Sequence, residues 1–378
     1  MPSTNLKPGD PLVLTLAADA RLGPTSYTDD HIWELSLGSG EPPCVAVQTT
    51  YGLRARSFRV FPRFIIKDKI YSDPATFSGP VQIKYLAPNF IRLACFPFQG
   101  INVEIEYWVP TSQTLAGRAR IINAQSEPAT LSLEWAAVLT PDASGQRMAP
   151  MDIGLSHLLA GKTSNLTPVL YLTGIVQQGL GPYPALSHSL ELEPHETRTS
   201  TWVSAAMATP EMAFAQARQI ATRKWDAETA HLELMNSGQL EIHTGLPDWD
   251  AAFMLAQKTA RALIAANPAA SPFASTVSTR LPDQGYSLRG DGSDYSHLWN
   301  GQTPLEAHYL ASLVLPSAPQ LAQGILVNFL EQQAEDVASP GVGAERKLGG
   351  GRKGRVDHHA VDDLGAALGG EVGVLGRK

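Results

Sequence analysis

Between Tyr286 and Tyr309 the chain reads YSLRGDGSDYSHLWNGQTPLEAHY, a run of the residue types that line a pocket for a polyhydroxylated ligand. Asp291 and Asp294 can act as acid, base or hydroxyl acceptor, since glycoside hydrolysis uses paired carboxyl groups. Trp299 offers a flat apolar face to the C–H side of a sugar ring. Tyr286, Arg289, His297, Asn300 and Gln302 supply donors and acceptors for hydroxyls. The stretch therefore predicts Asp291 and Asp294 as catalytic candidates and the other six as substrate-binding candidates, with no metal and no cofactor. A wholly structural alternative stays open, in which Asp291 caps a turn and Trp299 belongs to a core. The run Asp291-Gly292-Ser293-Asp294 resembles a fragment of a calcium loop, but the remaining ligand positions of an EF-hand are missing. Arg289-Gly290-Asp291 matches the integrin-binding tripeptide by coincidence.

The elements that must position this stretch are helices. Residues 270–302 connect two of them, and the connection far exceeds the roughly 2 to 8 residues usual between packed helices, which marks it as functional. Upstream, Trp249, Phe253, Ala256, Ala260 and Leu263 recur by four and three, predicting one buried stripe. Downstream, Thr303-Pro304-Leu305-Glu306 combines a capping box with proline at the first helical position. A further helix from about Ala318 carries Leu321, Ile325, Phe329 and Leu330 on one side. Before all of these, Thr209-Pro210-Glu211 opens a linker helix expected to run to Gly238, with Phe214, Ala217, Ala221, Trp225 and Leu232 on one face.

Residues 1–205 read differently. In INVEIEYWVP, Ile101, Val103, Ile105, Tyr107 and Val109 alternate with Asn102, Glu104 and Glu106, the pattern of a strand with one wet face. Leu131, Leu133 and Trp135 alternate with Ser132 and Glu134 in the same way. Further strand-like runs are PLVLTL, CVAVQTTY, SFRVF, VQIKYL, FIRLACF, GRARIIN, VLYLTGIV and HSLELEP. Turn clusters separate them, so a large antiparallel sandwich is expected. The predicted division is a β-sandwich over 1–205, a linker helix over 206–244, helical hairpins over 245–336 and an irregular tail over 337–378.

Composition narrows the class. The 378 residues are 43 % hydrophobic and 17 % charged, which fits a folded chain and excludes a disordered one. A net charge of −7 without a basic face argues against nucleic acid. MPSTNLKPGD lacks a secretion signal, and no apolar run approaches the roughly 20 residues of a membrane span. A cytoplasmic location is expected, and the sequon at Asn165 is then meaningless. Cys44 and Cys95 lie in strand-like runs and are expected to be buried thiols. The oligomeric state is left open.

With both halves in view the chain resembles the six-hairpin glycosidases, which include glycogen-debranching amylo-α-glucosidases. The resemblance covers roughly residues 10–336. It rests on GRARIIN and PATLSLEW, on LEPHETRTSTWVSAAMATPEMAFAQA, and on LWNGQTPLEAHYLASLVLPSAPQLAQGILVNFLEQQAED. It implies a β-supersandwich followed by an α/α toroid, and an oligosaccharide or polysaccharide with α-glucosidic linkages as substrate. Where relatives show Trp-x-Arg-Asp, this chain has Trp299-Asn300-Gly301-Gln302. Only Trp299 carries over, and the sugar-gripping Asp is replaced by Gln302.

A six-hairpin toroid implies about twelve helices, and few are legible after the linker. From Val337 the sequence turns glycine-rich, without Phe, Trp or Tyr and with seven Lys or Arg. An out-of-frame ending after codon 336 is the expectation, a genuine flexible tail the alternative. Either leaves the toroid incomplete, and the chain is expected to be inactive though its parent is a glycoside hydrolase. The competing reading is a carbohydrate-binding or scaffold protein without catalysis.

Overall fold

The computed structural model describes residues 33–262 apart from 52, 53, 88, 112, 180, 237–239 and 241, residues 304–331, and six short strand segments at 4–6, 14–16, 264–265, 275–276, 301–302 and 342–343. Seventeen strands precede the first α-helix among the described residues. They are β1 (Thr4–Leu6), β2 (Leu14–Leu16), β3 (Trp33–Ser39), β4 (Cys44–Thr49), β5 (Ala55–Ile66), β6 (Lys69–Tyr71), β7 (Gly79–Ala87), β8 (Phe90–Phe98) and β9 (Ile101–Thr111). Then come β10 (Thr114–Asn123), β11 (Ala129–Pro141), β12 (Gln146–Ile153), β13 (Ser156–Lys162), β14 (Thr167–Leu172), β15 (Gln177–Gln178), β16 (Ala185–Leu192) and β17 (Thr197–Met207).

One antiparallel sheet has nine strands in the order β1-β7-β8-β9-β10-β17-β14-β13-β12. The other has eight, in the order β15-β16-β11-β5-β4-β3-β2, with β6 beside β5. The expected sandwich is therefore present, and alternation explains it. Ile101, Val103, Ile105, Tyr107 and Val109 face the core between the sheets, and Leu131, Leu133 and Trp135 of β11 face them from the other side. Each such side chain taken out of water contributes about 1.5–3 kcal/mol.

The other face of β9 corrects the expectation of a wet surface. Glu106 there is only 1 % exposed, because two helices lie across the nine-stranded sheet. These are α1 (Pro210–Ala221) and α2 (Trp225–Asn236), where a single linker helix was expected. Thr209 caps α1 as anticipated, its Oγ1 accepting from the Met212 amide at 3.3 Å. The break falls at 222–224. Thr222 Oγ1 donates to the Gln219 carbonyl at 2.8 Å, and the Lys224 carbonyl accepts the amides of Ala227 and Glu228. Interrupting the helix lets Phe214 and Ala217 pack on β14 and β17 while Trp225 and Leu232 turn onto β8–β10.

Three more helices follow: α3 (Pro247–Ala262), α4 (Pro304–Val314) and α5 (Pro319–Glu331). Ala260, Ala307, Ala311, Val314, Ala322 and Ile325 form their shared core, and small side chains let the helix axes approach closely. The stripe expected on α3 is only partly realised. Ala260 is buried and Phe253 half-buried, but Trp249 is 70 % exposed and Ala256 is exposed too. The buried line runs instead through Gln257, whose Oε1 accepts the Leu240 amide at 3.2 Å. On α5, Ile325 is buried and Leu321 and Leu330 are half-buried, as the sequence predicts.

Both cysteines are free and buried, and burial pushes each thiol up to about 12. Arg59 beside Cys44 lowers its value only in part. The thiolate is the reactive form. Neither thiol is therefore expected to react with Ellman's reagent in the native protein at mildly alkaline pH. Both are expected to react once denaturant unfolds the chain; release of colour before unfolding would contradict the packing.

Candidate functional site

Tyr286, Arg289, Asp291, Asp294, His297, Trp299 and Asn300 lie outside the described residues, and so does the capping residue Thr303. Gln302 is described in its backbone alone. With Gly301 it forms a two-residue strand antiparallel to Val342–Gly343, Gln302 opposite Val342. The strand Ser275–Thr276 pairs with Ile264–Ala265 just beyond α3, and it neighbours both α5 and the Gly301–Gln302 strand. Ser275–Thr276, upstream of the candidate stretch, and Gly301–Gln302 at its end are thus neighbours, with Ser275–Thr276 beside α5. The hairpin of α4 and α5 begins with Pro304 at the first helical position, so the chain leaves the stretch directly into a packed helix.

Two clusters of charged side chains are described in full, and neither was singled out from the sequence. In the first, cross-strand register lines up Arg92 of β8, Glu106 of β9 and Arg118 of β10. Arg92 Nε donates to Glu106 Oε1 at 2.8 Å, while Arg118 Nε and the Trp225 indole N–H donate to Oε2 at 2.8 and 2.6 Å. Arg118 reaches on to Asp226 at 2.6 Å, and Arg92 to Glu233 at 3.0 Å. The Arg118 hydrogen bond and charge hold Asp226 below the usual carboxylate range. Burial alone would pull Arg92 down, but its bonds to Glu106 and the charges of Glu233 and Glu104 outweigh it and raise it. Arg118 also lies over the Trp225 ring and Arg223 over the Trp108 ring.

The second cluster is on the outer face of the eight-stranded sheet. Arg63 of β5 and Glu134 of β11 are register partners and form an ion pair at 3.1 Å, 3 % and 1 % exposed. Arg63 lies over Tyr183, and Gly179 and Gly181 bring the chain before β16 close over the pair. Four residues earlier on β5, Arg59 donates to the carbonyls of Ser39 and Pro42 and holds the β3–β4 turn.

Both arrangements fasten elements together. Glu106 is buried and held by three donors, which keeps it from reaching a substrate proton, and it pins α2 to the sheet. Arg63 and Glu134 neutralise each other away from water. A sequence signal for both existed: opposite charges that fall into register on neighbouring strands. Among the described residues no group of three or more His, Cys, Asp or Glu is placed to hold a metal ion, and no helix is long and apolar enough to cross a membrane.

No known family's sequence profile matches the chain, and no curated protein matches it. Among solved structures it is similar to a bacterial glucoamylase complexed with acarbose, at 10 % identity and a TM-score of 0.48, covering 88 % of this chain and 53 % of the glucoamylase. It is also similar to the Slr1438 protein of Synechocystis sp. PCC 6803, at 12 % identity and a TM-score of 0.35, over 55 % of this chain and all of the other. A third is a galactose mutarotase-like protein from Clostridium acetobutylicum, at 8 % identity and a TM-score of 0.29, over 48 % of this chain and 94 % of the other. At these values the likeness is coarse and reaches no further than the fold.

Proposed function

We propose that this chain belongs to a carbohydrate-active protein whose parent hydrolyses α-glucosidic linkages, with the sugar held at the stretch 286–302. The observation that carries the reading is the sequence Arg289-Gly290-Asp291-Gly292-Ser293-Asp294 with His297, Trp299, Asn300 and Gln302, set in a connection too long for its helices. The order of elements supports it, a β-sandwich handing over to helical hairpins. In this reading Trp299 stacks on the sugar ring and Tyr286, Arg289, His297, Asn300 and Gln302 bind hydroxyls. Asp291 or Asp294 supplies a carboxyl group of the acid–base pair, and the segment Val342–Gly343 pairs beside Gln302 at the edge of the site.

Calorimetric titration with maltooligosaccharides tests the binding half. Trp299→Ala is expected to weaken binding about tenfold or more, as removal of a central aromatic anchor does. Binding by the variant equal to the parent would remove Trp299 from the site. The chain alone is expected to turn over no aryl α-glucoside. In full-length protein, Asp294→Asn is expected to abolish turnover with binding retained.

A second reading is favoured by one departure: Gln302 stands where a sugar-gripping carboxylate is expected. A non-catalytic binding protein would capture glycans on an array and form no product.

A further inference from the structure

Helix α4 is apolar on more sides than its neighbours cover. Ala307, Ala311 and Val314 step by four and three and pack with Ala260 of α3 and with Ala322 and Ile325 of α5. On the opposite side Leu305, His308, Tyr309 and Ser312 share one face and are all exposed, Leu305 at 66 % and Tyr309 at 61 %. Half-buried Leu313 and Leu315 border that face on its two flanks. The other helices show what an ordinary surface is here. α1 turns Glu211, Arg218 and Gln219 to water, and α5 turns Pro319, Gln320 and Gln323. A helix apolar all round belongs in an interior, and an exposed apolar face marks a contact.

We infer that this face of α4 is a contact between two copies of the chain, the two helices meeting antiparallel about a two-fold axis. Three observations select a second copy as the occupant. The face contains no Asp, Glu, Lys or Arg. It can therefore meet itself without opposing like charges, whereas a strongly charged partner would find nothing to pair with. Its polar groups are compatible with cover. Ser312 Oγ donates to the His308 carbonyl at 2.7 Å, so burying the hydroxyl strands no donor, and the His308 ring lies beside that of Tyr309 with centroids 5.7 Å apart. Finally, the chain does not cover the face itself. Val342–Gly343 pairs with Gly301–Gln302 just before α4, yet Leu305 beyond that pairing stays exposed.

Size sets the strength. A single helix of 11 residues offers less than the roughly 800 Å² per partner of a standard interface. The association is accordingly weak and concentration-dependent. Tyr309 is its anchor, because a tyrosine ring covers a large area at small entropic cost and keeps its hydroxyl at the wet edge.

Sedimentation velocity of the full chain between about 1 and about 100 μM tests this: the mass is expected to rise from one chain toward two and stop there, since a two-fold contact closes on itself. Tyr309→Lys and Tyr309→Glu are each expected to weaken association about tenfold or more, with the urea midpoint unchanged because the position is exposed. An equimolar mixture of the two variants is expected to regain association as opposite charges meet across the axis. Trp249→Lys, at the exposed start of α3, is expected to leave association as it was. A single-chain mass throughout the range would overturn the inference and leave the face to a different partner. So would association that persists in Tyr309→Lys, that vanishes in Trp249→Lys, or that grows past two chains. A mixture no more associated than either variant alone would likewise rule out the two-fold contact.

Discussion

Gly117→Val is expected to destabilise the sandwich by about 3 kcal/mol or more, and Gly117→Ala by about 1–3 kcal/mol, both as a fall in the urea midpoint. Gly117 of β10 is the direct register partner of Trp202 on β17. The indole lies flat over the glycine, so a methyl group there would come within 2.5 Å of Trp202 Cζ2 and closer still to its neighbouring ring atoms. An aromatic side chain covering a glycine on the adjacent strand restores the packing that the missing side chain forgoes. The ring has nowhere to retreat. Trp135 meets it from the opposite sheet with centroids 4.9 Å apart, and Tyr107 meets it at 6.1 Å on its own sheet. All three are fully buried. A wild-type midpoint for Gly117→Ala would show that Trp202 can move aside, contrary to this packing.

Glu106→Ala is expected to cost about 3–5 kcal/mol, because it leaves two arginines and an indole N–H facing an apolar gap. Arg92 and Arg118 are largely shielded at that point, and Trp225 loses its acceptor. Glu106→Gln keeps the shape but turns an amide N–H₂ toward donors, so it is expected to fall between wild type and alanine. The loss should register first in Trp225, whose fluorescence is expected to shift to the red below the main unfolding transition as α2 lifts from the sheet. A Glu106→Ala protein with unchanged midpoint and emission would mean that the other contacts of α2 suffice to hold it, among them Leu232, the Trp108–Trp225 ring contact and the ion pairs of Asp226 and Glu233. The two sites share the nine-stranded sheet yet lie on opposite faces of it. Gly117 adjoins Arg118, which bonds Glu106, so the double variant is expected to depart from additivity.

Much of the sandwich was legible because its strands are half-buried in alternation, as β9 and the first half of β11 are. β12 was not legible, and the reason is physical: it is an edge strand with nearly all of its residues exposed, so no period of two is imposed on it. Trp33-Glu34-Leu35-Ser36-Leu37 in β3 does alternate and could have been read. The burial of Glu106 was illegible from one strand, because it depends on arginines from two other strands and on a helix more than a hundred residues away. The linker likewise reads as one helix along its length, since the break at 222–224 contains neither glycine nor proline. It is imposed by two docking sites on the sheet. For the candidate site, the sequence names residues and the fold describes only the backbone of Gly301–Gln302 beside Ser275–Thr276; the rest of the stretch stands as a proposal.

Strand β17 sits near the middle of the nine-stranded sheet, between β10 and β14, yet it is the last strand of the sandwich to be synthesised. On the ribosome, β7–β10 can zip up by successive hairpins, and β12–β14 likewise, but neither group can join the other until residue 207 has emerged. Contacts of such long sequence separation slow the search for the native arrangement and leave sticky intermediate edges exposed meanwhile. The clasp that completes the sheet is therefore also the clock that governs its assembly, and a nascent chain stalled before residue 197 would hold two half-sheets with open flanks for a chaperone to cover.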